Sequence, residues 1–304
     1  MLDPLVLAWL LPLLVAACVA LRRRPWVPVA IAAGAMLLPF FVDPAAPFWR
    51  AFAALSALLL LVKSLQLAHG HERPPGARDT LRFFVIPAVV RWDAPRRPDR
   101  AGALRALAVV AAQLALVAAI QWALAQHDAR PVLHLVAAEL CIYLLVSGLL
   151  NGLAATLTWH GIDHDRPFGT PLLARTPAEF WGRHWNTWVN HLLYRHVFLP
   201  AGGRRHPVRG TLAAFAASAA FHEYLVDVGT LRFSGWMAAY FLVQGLLVVA
   251  TATKRVRRFA RRAPRAAWAL TLVVMLATGA LFVRGAEGVD PSRSWERCCA
   301  QWPL

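Results

Sequence analysis

The sequence predicts an all-α polytopic membrane protein. Three observations support this class: 59% of the 304 residues are apolar, the mean hydropathy is +0.49, and the apolar residues gather into long runs. A bilayer-spanning helix needs about 17–25 such residues. We therefore expect about eight transmembrane helices in a single domain covering residues 1–304, with runs near residues 5–21, 26–42, 48–68, 103–125, 132–153, 211–228, 234–253 and 266–283.

The basic residues predict the orientation. If alternate loops face the cytoplasm, the cytoplasmic segments 22–24, 69–105, 154–210 and 254–265 hold 25 of the 32 Lys and Arg residues, and the other loops and tails hold six. The positive-inside rule then places both termini on the non-cytoplasmic side of an inner membrane. The net charge of +16 is therefore explained by topology and by contact with anionic lipid, and nucleic acid is not an expected partner.

The cysteines indicate neither a disulfide framework nor a metal site. Cys18 and Cys141 lie in predicted spans, Cys298 and Cys299 are adjacent in the C-terminal tail, and neither zinc spacing nor a CxxC motif occurs. We expect the first span to be retained as a helix rather than cleaved as a signal peptide. No positive region precedes it, and its apolar run continues past Cys18.

Several polar features interrupt the apolar pattern in the first half of the chain. Lys63 and Gln66 lie near the cytoplasmic end of the third run, where long side chains are expected to reach the headgroups. Residues 81–92 are apolar but too short to cross, so an interfacial or re-entrant helix is expected in the 69–102 segment. Glu139 lies inside the fifth run and should face the bundle interior and pair with a polar group, and a structural role and a role in a substrate tunnel are both open.

The cytoplasmic segment 154–210 is too long for an ordinary connection and is rich in Arg, His and Trp, so interfacial or re-entrant helices are expected there. A helix is predicted after Thr176, with Pro177 at its first position. Spacings of three and four predict an aromatic stripe on that helix, formed by Phe180, Trp181, His184, Trp185 and Trp188. An amphipathic interfacial helix would account for the Trp and Arg residues, but not for Asn186 in the middle of the motif.

The apolar pattern places His222 close to the bilayer midplane. The sixth run begins near Thr211 and His222 follows eleven residues later. At about 1.5 Å per residue this puts it ~16 Å below the cytoplasmic surface. An ionisable residue at membrane depth is costly and is therefore a candidate for function.

Two motifs taken together resemble a known family. The sequence PLLARTPAEFWGRHWN (171–186) is followed by SAAFHEY (218–224). This pairing resembles the membrane-bound O-acyltransferase superfamily, specifically its wax-synthase-like branch. That branch carries a Phe-Trp-Gly-Arg-x-Trp-Asn/His motif and, further along, an intramembrane His that is often followed by Glu. His184 stands where the branch often has Arg.

The resemblance implies transfer of an acyl group from acyl-CoA, as co-substrate, to the hydroxyl of a lipid-like or hydrophobic alcohol, with no permanently bound cofactor. It implies His222 as the catalytic histidine and Asn186 as the second signature residue. A neutral imidazole near the alcohol can act as a base. The Asn186 carboxamide would either donate to the thioester carbonyl or orient the imidazole or the acceptor. The predicted acyl-CoA contacts are Arg183, Trp185 and Arg195, since Arg binds phosphate well.

Two other functions are open on the sequence alone. His160 and His164 have the i, i+4 spacing used by membrane di-iron desaturases and hydroxylases, but no HxxHH motif follows and Gly161 stands between them. The second alternative is a non-enzymatic lipid carrier or transporter, for which no inverted repeat is visible. Its proton or ion path would run through the polar residues of the sixth run, namely His222, Glu223 and Asp227.

Overall fold

The computed structural model describes residues 4–24, 26–70, 74, 76–86, 97–126 and 131–286. Within these ranges all regular secondary structure is helical, which confirms the predicted all-α class. The α-helices are α1 (Pro4–Ala20), α2 (Trp26–Ala35), α3 (Pro47–Ala68), α4 (Ala77–Val85), α5 (Arg100–Gln126), α6 (Pro131–Trp159), α7 (Pro177–Glu179), α8 (Thr187–Leu193), α9 (Pro207–Thr230), α10 (Trp236–Thr251), α11 (Lys254–Arg262) and α12 (Pro264–Ala286). Short 3-10 turns lie at Leu38–Phe41 and Pro171–Leu173, and π-helical turns at Phe180–His184 and Tyr194–Phe198.

Four of the described helices are long and apolar enough to cross a membrane. They are α3, α5, the Val132–Trp159 part of α6, and α12. Helices α10 and α11 together form a fifth candidate, bent by 78° at the break between them. The chain is therefore an integral, multi-pass membrane protein with four or five candidate spans.

The predicted count of eight spans is not confirmed. The first two predicted runs contain only shorter apolar helices, Leu10–Ala20 and Trp26–Phe41. At about 1.5 Å per residue these are shorter than the ~30 Å hydrocarbon core. Helix α9, at the sixth predicted run, is not among the candidates. His222, Glu223 and Asp227 lie within its apolar stretch and lower its hydropathy.

The described residues divide into two compact units. The first comprises Met1–Pro87, Ala220–Met237 and Gly285–Leu304, and the second comprises Ala88–Ala219 and Ala238–Arg284. Asn186 belongs to the second unit and His222 to the first. The assignment of the whole chain to a single domain stays a prediction.

The interior of the first unit is more polar than the sequence pattern predicts. Lys63 does not reach toward the headgroups: its side chain is buried, and its ammonium lies 4.5 Å from the centre of the Phe83 ring. Gln66 is also buried. Arg50 is fully buried, and its Nε donates to the Pro39 carbonyl at 3.3 Å. The snorkelling expectation for α3 is therefore wrong, because α4 lies close enough to cover the end of that helix.

Helix α4 accounts for the start of the predicted interfacial segment 81–92. It buries Thr80, Phe83 and Phe84 on one face. Its amphipathic composition agrees with an interfacial helix. The remainder of the segment, from residue 87, lies outside the described residues, as do Cys298 and Cys299 in the tail.

The second unit contains the antiparallel pair α5 and α6. Gln113 Nε2 donates to Ser147 Oγ at 3.1 Å, and Gln121 Nε2 donates to Cys141 Sγ at 3.7 Å. These bonds provide hydrogen-bond partners for polar side chains, which lipid hydrocarbon cannot provide. They fix the register of the pair and thus the position of the segment that follows α6.

Candidate active site

The motif-bearing segment begins with a capped helix, as the sequence predicts. Thr176 is the N-cap of α7: its Oγ1 accepts from Glu179 N at 3.0 Å, and Pro177 stands at the first helical position. The Glu179 carboxylate turns back and accepts from Arg175 N at 2.9 Å. Each bond satisfies a backbone N–H near the start of the helix, where no intrahelical acceptor exists.

The helix does not continue through the motif, so the predicted aromatic stripe on one helix is wrong. After Glu179 the backbone widens into the π-helical turn Phe180–His184, which Trp185 N closes by donating to Phe180 O at 2.9 Å. The helix is interrupted after this turn, and α8 begins at Thr187. Side chains that share a face in a continuous helix are therefore divided between two short elements.

Asn186 makes this break. Its backbone is in the left-handed region, with φ of 39°, a conformation that Asn tolerates better than other non-glycine residues. Its Oδ1 accepts from Val189 N at 3.3 Å and caps α8. Because the cap uses the carboxamide oxygen, the amide nitrogen is the group that can donate to a substrate. The half-buried position of Asn186 suits that role.

His184 joins the π-helical turn to the loop before α7. The backbone N–H of Gly169 donates to the carbonyl of His184 at 3.0 Å, and the backbone N–H of Thr170 donates to the Nδ1 of His184 at 3.1 Å. Since Nδ1 accepts, the proton of the neutral ring is on Nε2, which lies 3.6 Å from Glu179 Oε1. An arginine has no acceptor to replace Nδ1, so the departure from the branch motif at this position has a structural purpose.

Two further bonds hold α8 against the same loop. Thr187 N donates to Pro167 O at 2.8 Å, and the buried Trp188 ring donates from Nε1 to Asp165 O at 2.7 Å. On the next turn Asn190 Nδ2 donates to Trp181 O at 2.6 Å. Asn186 is thus held in a backbone that is bonded on both sides of the break.

Trp181 ties this segment to the helices of the second unit. Its Nε1 donates to Gln244 Oε1 at 2.9 Å, and Gln244 Nε2 donates to Thr278 Oγ1 at 2.8 Å. Gln244 is fully buried. Sequence reasoning missed this chain of bonds, although an isolated Gln in the apolar α10 and a Thr in the apolar α12 are signals that a partner is required.

The predicted donor contacts lie in different surroundings. Arg183 is exposed on the π-helical turn, and Arg195 is half-buried in the second π-helical turn. The Trp185 ring is stacked on Phe180, with centroids 5.4 Å apart, and it also contacts the rings of Phe168, Trp181 and Tyr143. Packing against these rings accounts for Trp185. Its part in acyl-CoA binding, and those of the two arginines, stay predictions.

His222 occupies a half-buried position on the part of α9 that belongs to the first unit. Its ring centroid is 5.0 Å from that of Phe221. The residues that follow it are firmly bonded: Glu223 is buried and its Oε1 accepts from Gly235 N at 2.5 Å, and Tyr224 donates to Met36 O at 2.8 Å. The helical turn that carries His222 is therefore fixed by its neighbours.

Glu139 lies on α6 against α12. A Cβ built on Gly279 would stand 2.4 Å from the Glu139 carboxyl carbon, so any larger residue at this position would require the Glu139 side chain to move. Within the described part of the chain Glu139 Oε1 is buried and accepts no hydrogen bond. The side chain faces a neighbouring helix, as expected for a carboxyl group within a span.

The sequence profile of the membrane-bound O-acyltransferase family matches residues 130–284, about half of the chain. The chain belongs to this family. The match includes the capped helix, both π-helical turns, Asn186 and His222. The resemblance drawn from the two motifs is therefore confirmed.

Curated relatives of this family member come from Arabidopsis thaliana. It is 34% identical over 137 residues to probable long-chain-alcohol O-fatty-acyltransferase 3 and 32% identical over 159 residues to probable long-chain-alcohol O-fatty-acyltransferase 7. It is 28% identical over 148 residues to acyl-CoA–sterol O-acyltransferase 1. The matched regions cover 40%, 47% and 45% of this chain and 40%, 46% and 43% of the respective relatives. The chain thus spans less than half the length of each relative.

The histidines of the di-iron alternative are not arranged as a helical pair. Helix α6 ends at Trp159, and Gly161 has a φ of 67°, so His160 and His164 do not share a helix face. Both ring nitrogens of His164 are within hydrogen-bond distance of protein groups, Thr158 Oγ1 at 3.1 Å and Asp165 O at 2.9 Å. His164 therefore serves to join the end of α6 to the loop after it.

Proposed function

We propose that this protein transfers an acyl group from acyl-CoA to the hydroxyl of a lipid-like or hydrophobic alcohol, in the manner of a wax-ester synthase. The family match over residues 130–284 carries the proposal, because it includes both motifs from which the chemistry was inferred. The names of the relatives agree in the type of reaction, with long-chain alcohols or a sterol as acceptors. The transferase reading is preferred to the lipid carrier for this reason.

In the proposed reaction His222 is the general base and Asn186 the hydrogen-bond donor. The imidazole takes the proton of the alcohol while the alcohol oxygen attacks the thioester carbonyl. The amide nitrogen of Asn186 donates to the carbonyl oxygen as it gains negative charge. The tetrahedral intermediate then expels the CoA thiolate, which receives the proton from the imidazolium. The products are an ester and free CoA, and both side chains end in their starting state.

In the proposed topology the chain crosses the inner membrane eight times, and both termini lie on the non-cytoplasmic side. Helices α1, α2 and α9 would supply the passages that length and hydropathy alone do not identify. The asymmetry of basic residues, 25 against six, supports this orientation. The donor would then approach from the cytoplasmic side, where CoA is found. Reporter fusions at both termini test it: periplasmic activity of both is expected, and cytoplasmic activity of either contradicts the orientation.

Acyl transfer in isolated membranes tests the function. Membranes containing the protein are incubated with radiolabelled acyl-CoA and either a long-chain alcohol or a sterol, and we expect labelled ester. His222→Ala should abolish the product at matched expression. His134→Ala is the control, since His134 is exposed. Full activity of His222→Ala would remove the base assignment, and absence of a covalent product with every alcohol would favour a carrier.

A further inference from the structure

An open cavity of ≈ 450 Å³ lies at the turn between the second π-helical turn and α9. It is lined by Leu199, Gly202, Arg204 and Arg205, all in the second unit. Its volume falls within the range of small-molecule sites in proteins, roughly 300–1,000 Å³. Leu199 supplies an apolar wall, and two adjacent arginines supply the charge.

The turn that forms the cavity is held by its own backbone. Gly203 N donates to Phe198 O at 2.9 Å, and both Arg205 N and His206 N donate to Gly202 O, at 3.0 and 2.9 Å. Gly202 has a φ of 78°, which strains any residue with a side chain. A Cβ on Gly203 would stand 2.5 Å from the Phe198 ring, so this glycine lets the turn pack on that ring. The two arginines therefore project from a fixed backbone.

The electrostatic surroundings favour an anion. No Asp or Glu stands between Glu179 and Glu223 in the sequence, whereas five arginines do. The side chains of Arg204 and Arg205 are exposed, and neither makes an ion pair or hydrogen bond within the described ranges. Two adjacent guanidinium groups with their donors free match the oxygen-rich face of a phosphorylated ligand.

We propose that this cavity binds the phosphate groups of the acyl-CoA donor. The inference rests on the proposed acyl transfer and adds to it a donor site distinct from Arg183 and Arg195. CoA carries a diphosphate and a separate 3′-phosphate, so it presents several anionic groups to one small cavity. The headgroup of an anionic lipid also has phosphate, but a single one, and a concave site with two adjacent arginines suits the richer ligand.

Donor truncation combined with a charge deletion tests the site. The variant is Arg204→Ala/Arg205→Ala, and the control is Arg23→Ala/Arg24→Ala, which removes the same charge from two adjacent exposed positions after α1. With acyl-CoA we expect KM to rise on the order of tenfold or more in the variant and less than about twofold in the control. With acyl-pantetheine, which has no phosphate, the variant and the wild type should have the same KM. Arg204→Lys/Arg205→Lys should recover part of the loss, since the charge is kept.

Three outcomes would overturn the site. One is an unchanged KM for acyl-CoA in the variant. Another is an equal loss with acyl-pantetheine, which would mean that the variant harms the enzyme and not donor binding. The third is a loss that appears only in vesicles containing anionic lipid and vanishes in neutral vesicles, which would identify a lipid headgroup as the occupant.

Direct binding separates failure of the site from failure of the proposed reaction. Purified protein in detergent is incubated with radiolabelled CoA, and retention is measured for the wild type, the variant and the control. Retention by the wild type and the control but not by the variant supports the site even if no ester forms. Equal retention by all three overturns it even if acyl transfer is confirmed.

Discussion

Asn186 has a structural role as a helix cap and a proposed catalytic role, and substitutions can separate the two. Its Oδ1 caps α8, and its left-handed backbone makes the break between the π-helical turn and that helix. The proposed catalytic role uses only the amide nitrogen. Asp at this position keeps an oxygen for the cap and removes the donor, whereas Gly tolerates the backbone conformation and removes the whole side chain.

The magnitudes follow from these contacts. The cap bond is long, at 3.3 Å, so its loss should cost about 0.5–1 kcal/mol. Asn186→Gly should lose only a few tenths of a kcal/mol, because glycine is itself an acceptable N-cap. Asn186→Ala loses the cap and adds the strain of the left-handed conformation, roughly 1–2 kcal/mol. Removal of an oxyanion donor lowers kcat by about 10²–10³-fold.

We therefore expect Asn186→Asp and Asn186→Gly to fold nearly as well as the wild type and to lose about 10²–10³-fold in kcat. Asn186→Ala should lose both stability and activity. Thermal unfolding of the purified proteins in detergent measures the first quantity, and radiolabelled ester formation measures the second. Asn186→Asp with near-wild-type kcat would refute the donor role and leave Asn186 as a helix cap alone.

Two further predictions concern glycine and carboxylate contacts. A methyl group on Gly279 would stand 2.4 Å from the Glu139 carboxyl carbon, at the end of a flexible side chain that would have to move, so Gly279→Ala should stabilise less than Gly152→Ala, which meets nothing within 4 Å and should gain up to about 1 kcal/mol; thermal unfolding compares the two, and equal midpoints would contradict the contact. Glu223→Gln keeps an acceptor for Gly235 N and should fold normally, whereas Glu223→Ala removes the acceptor of that half-buried donor and should cost about 0.5–1.5 kcal/mol. If both variants at Glu223 unfold at the same temperature, the bond to Gly235 does not stabilise α9.

The start of the motif-bearing segment was predictable because its signals are local. Thr176 followed by Pro177 is a signal for a helix start that depends only on neighbouring residues, and the structure has the cap at that position. The break at Asn186 was not predictable from the spacing of aromatic residues, because a left-handed residue changes the backbone without changing the pattern. Phe180, Trp181 and Trp185 then pack as a cluster, and Trp188 contacts His164 instead of extending a stripe.

The span count shows a second limit of sequence reasoning. An apolar run predicts that a segment is shielded from water, but it does not distinguish burial in lipid from burial in the protein interior. Lys63 illustrates the point: its position near a helix end predicted a headgroup contact, and the structure covers it with Phe83 instead. The bond from Trp181 to Gln244 joins residues 63 apart in sequence, a distance over which no local pattern carries information.

The 78° bend between α10 and α11 has a mechanical consequence. If α10 crosses the bilayer near its normal, α11 runs nearly parallel to the membrane plane, and Thr253 caps its start by accepting from Val256 N at 3.4 Å. The cations of α11 then contact the lipid headgroups and oppose movement of α10 in either direction along the membrane normal. Gln244 lies seven residues before the end of α10, so the contact of α11 with the lipid surface would keep it at a constant depth. The ring of Trp181, which donates to Gln244, would keep the same depth.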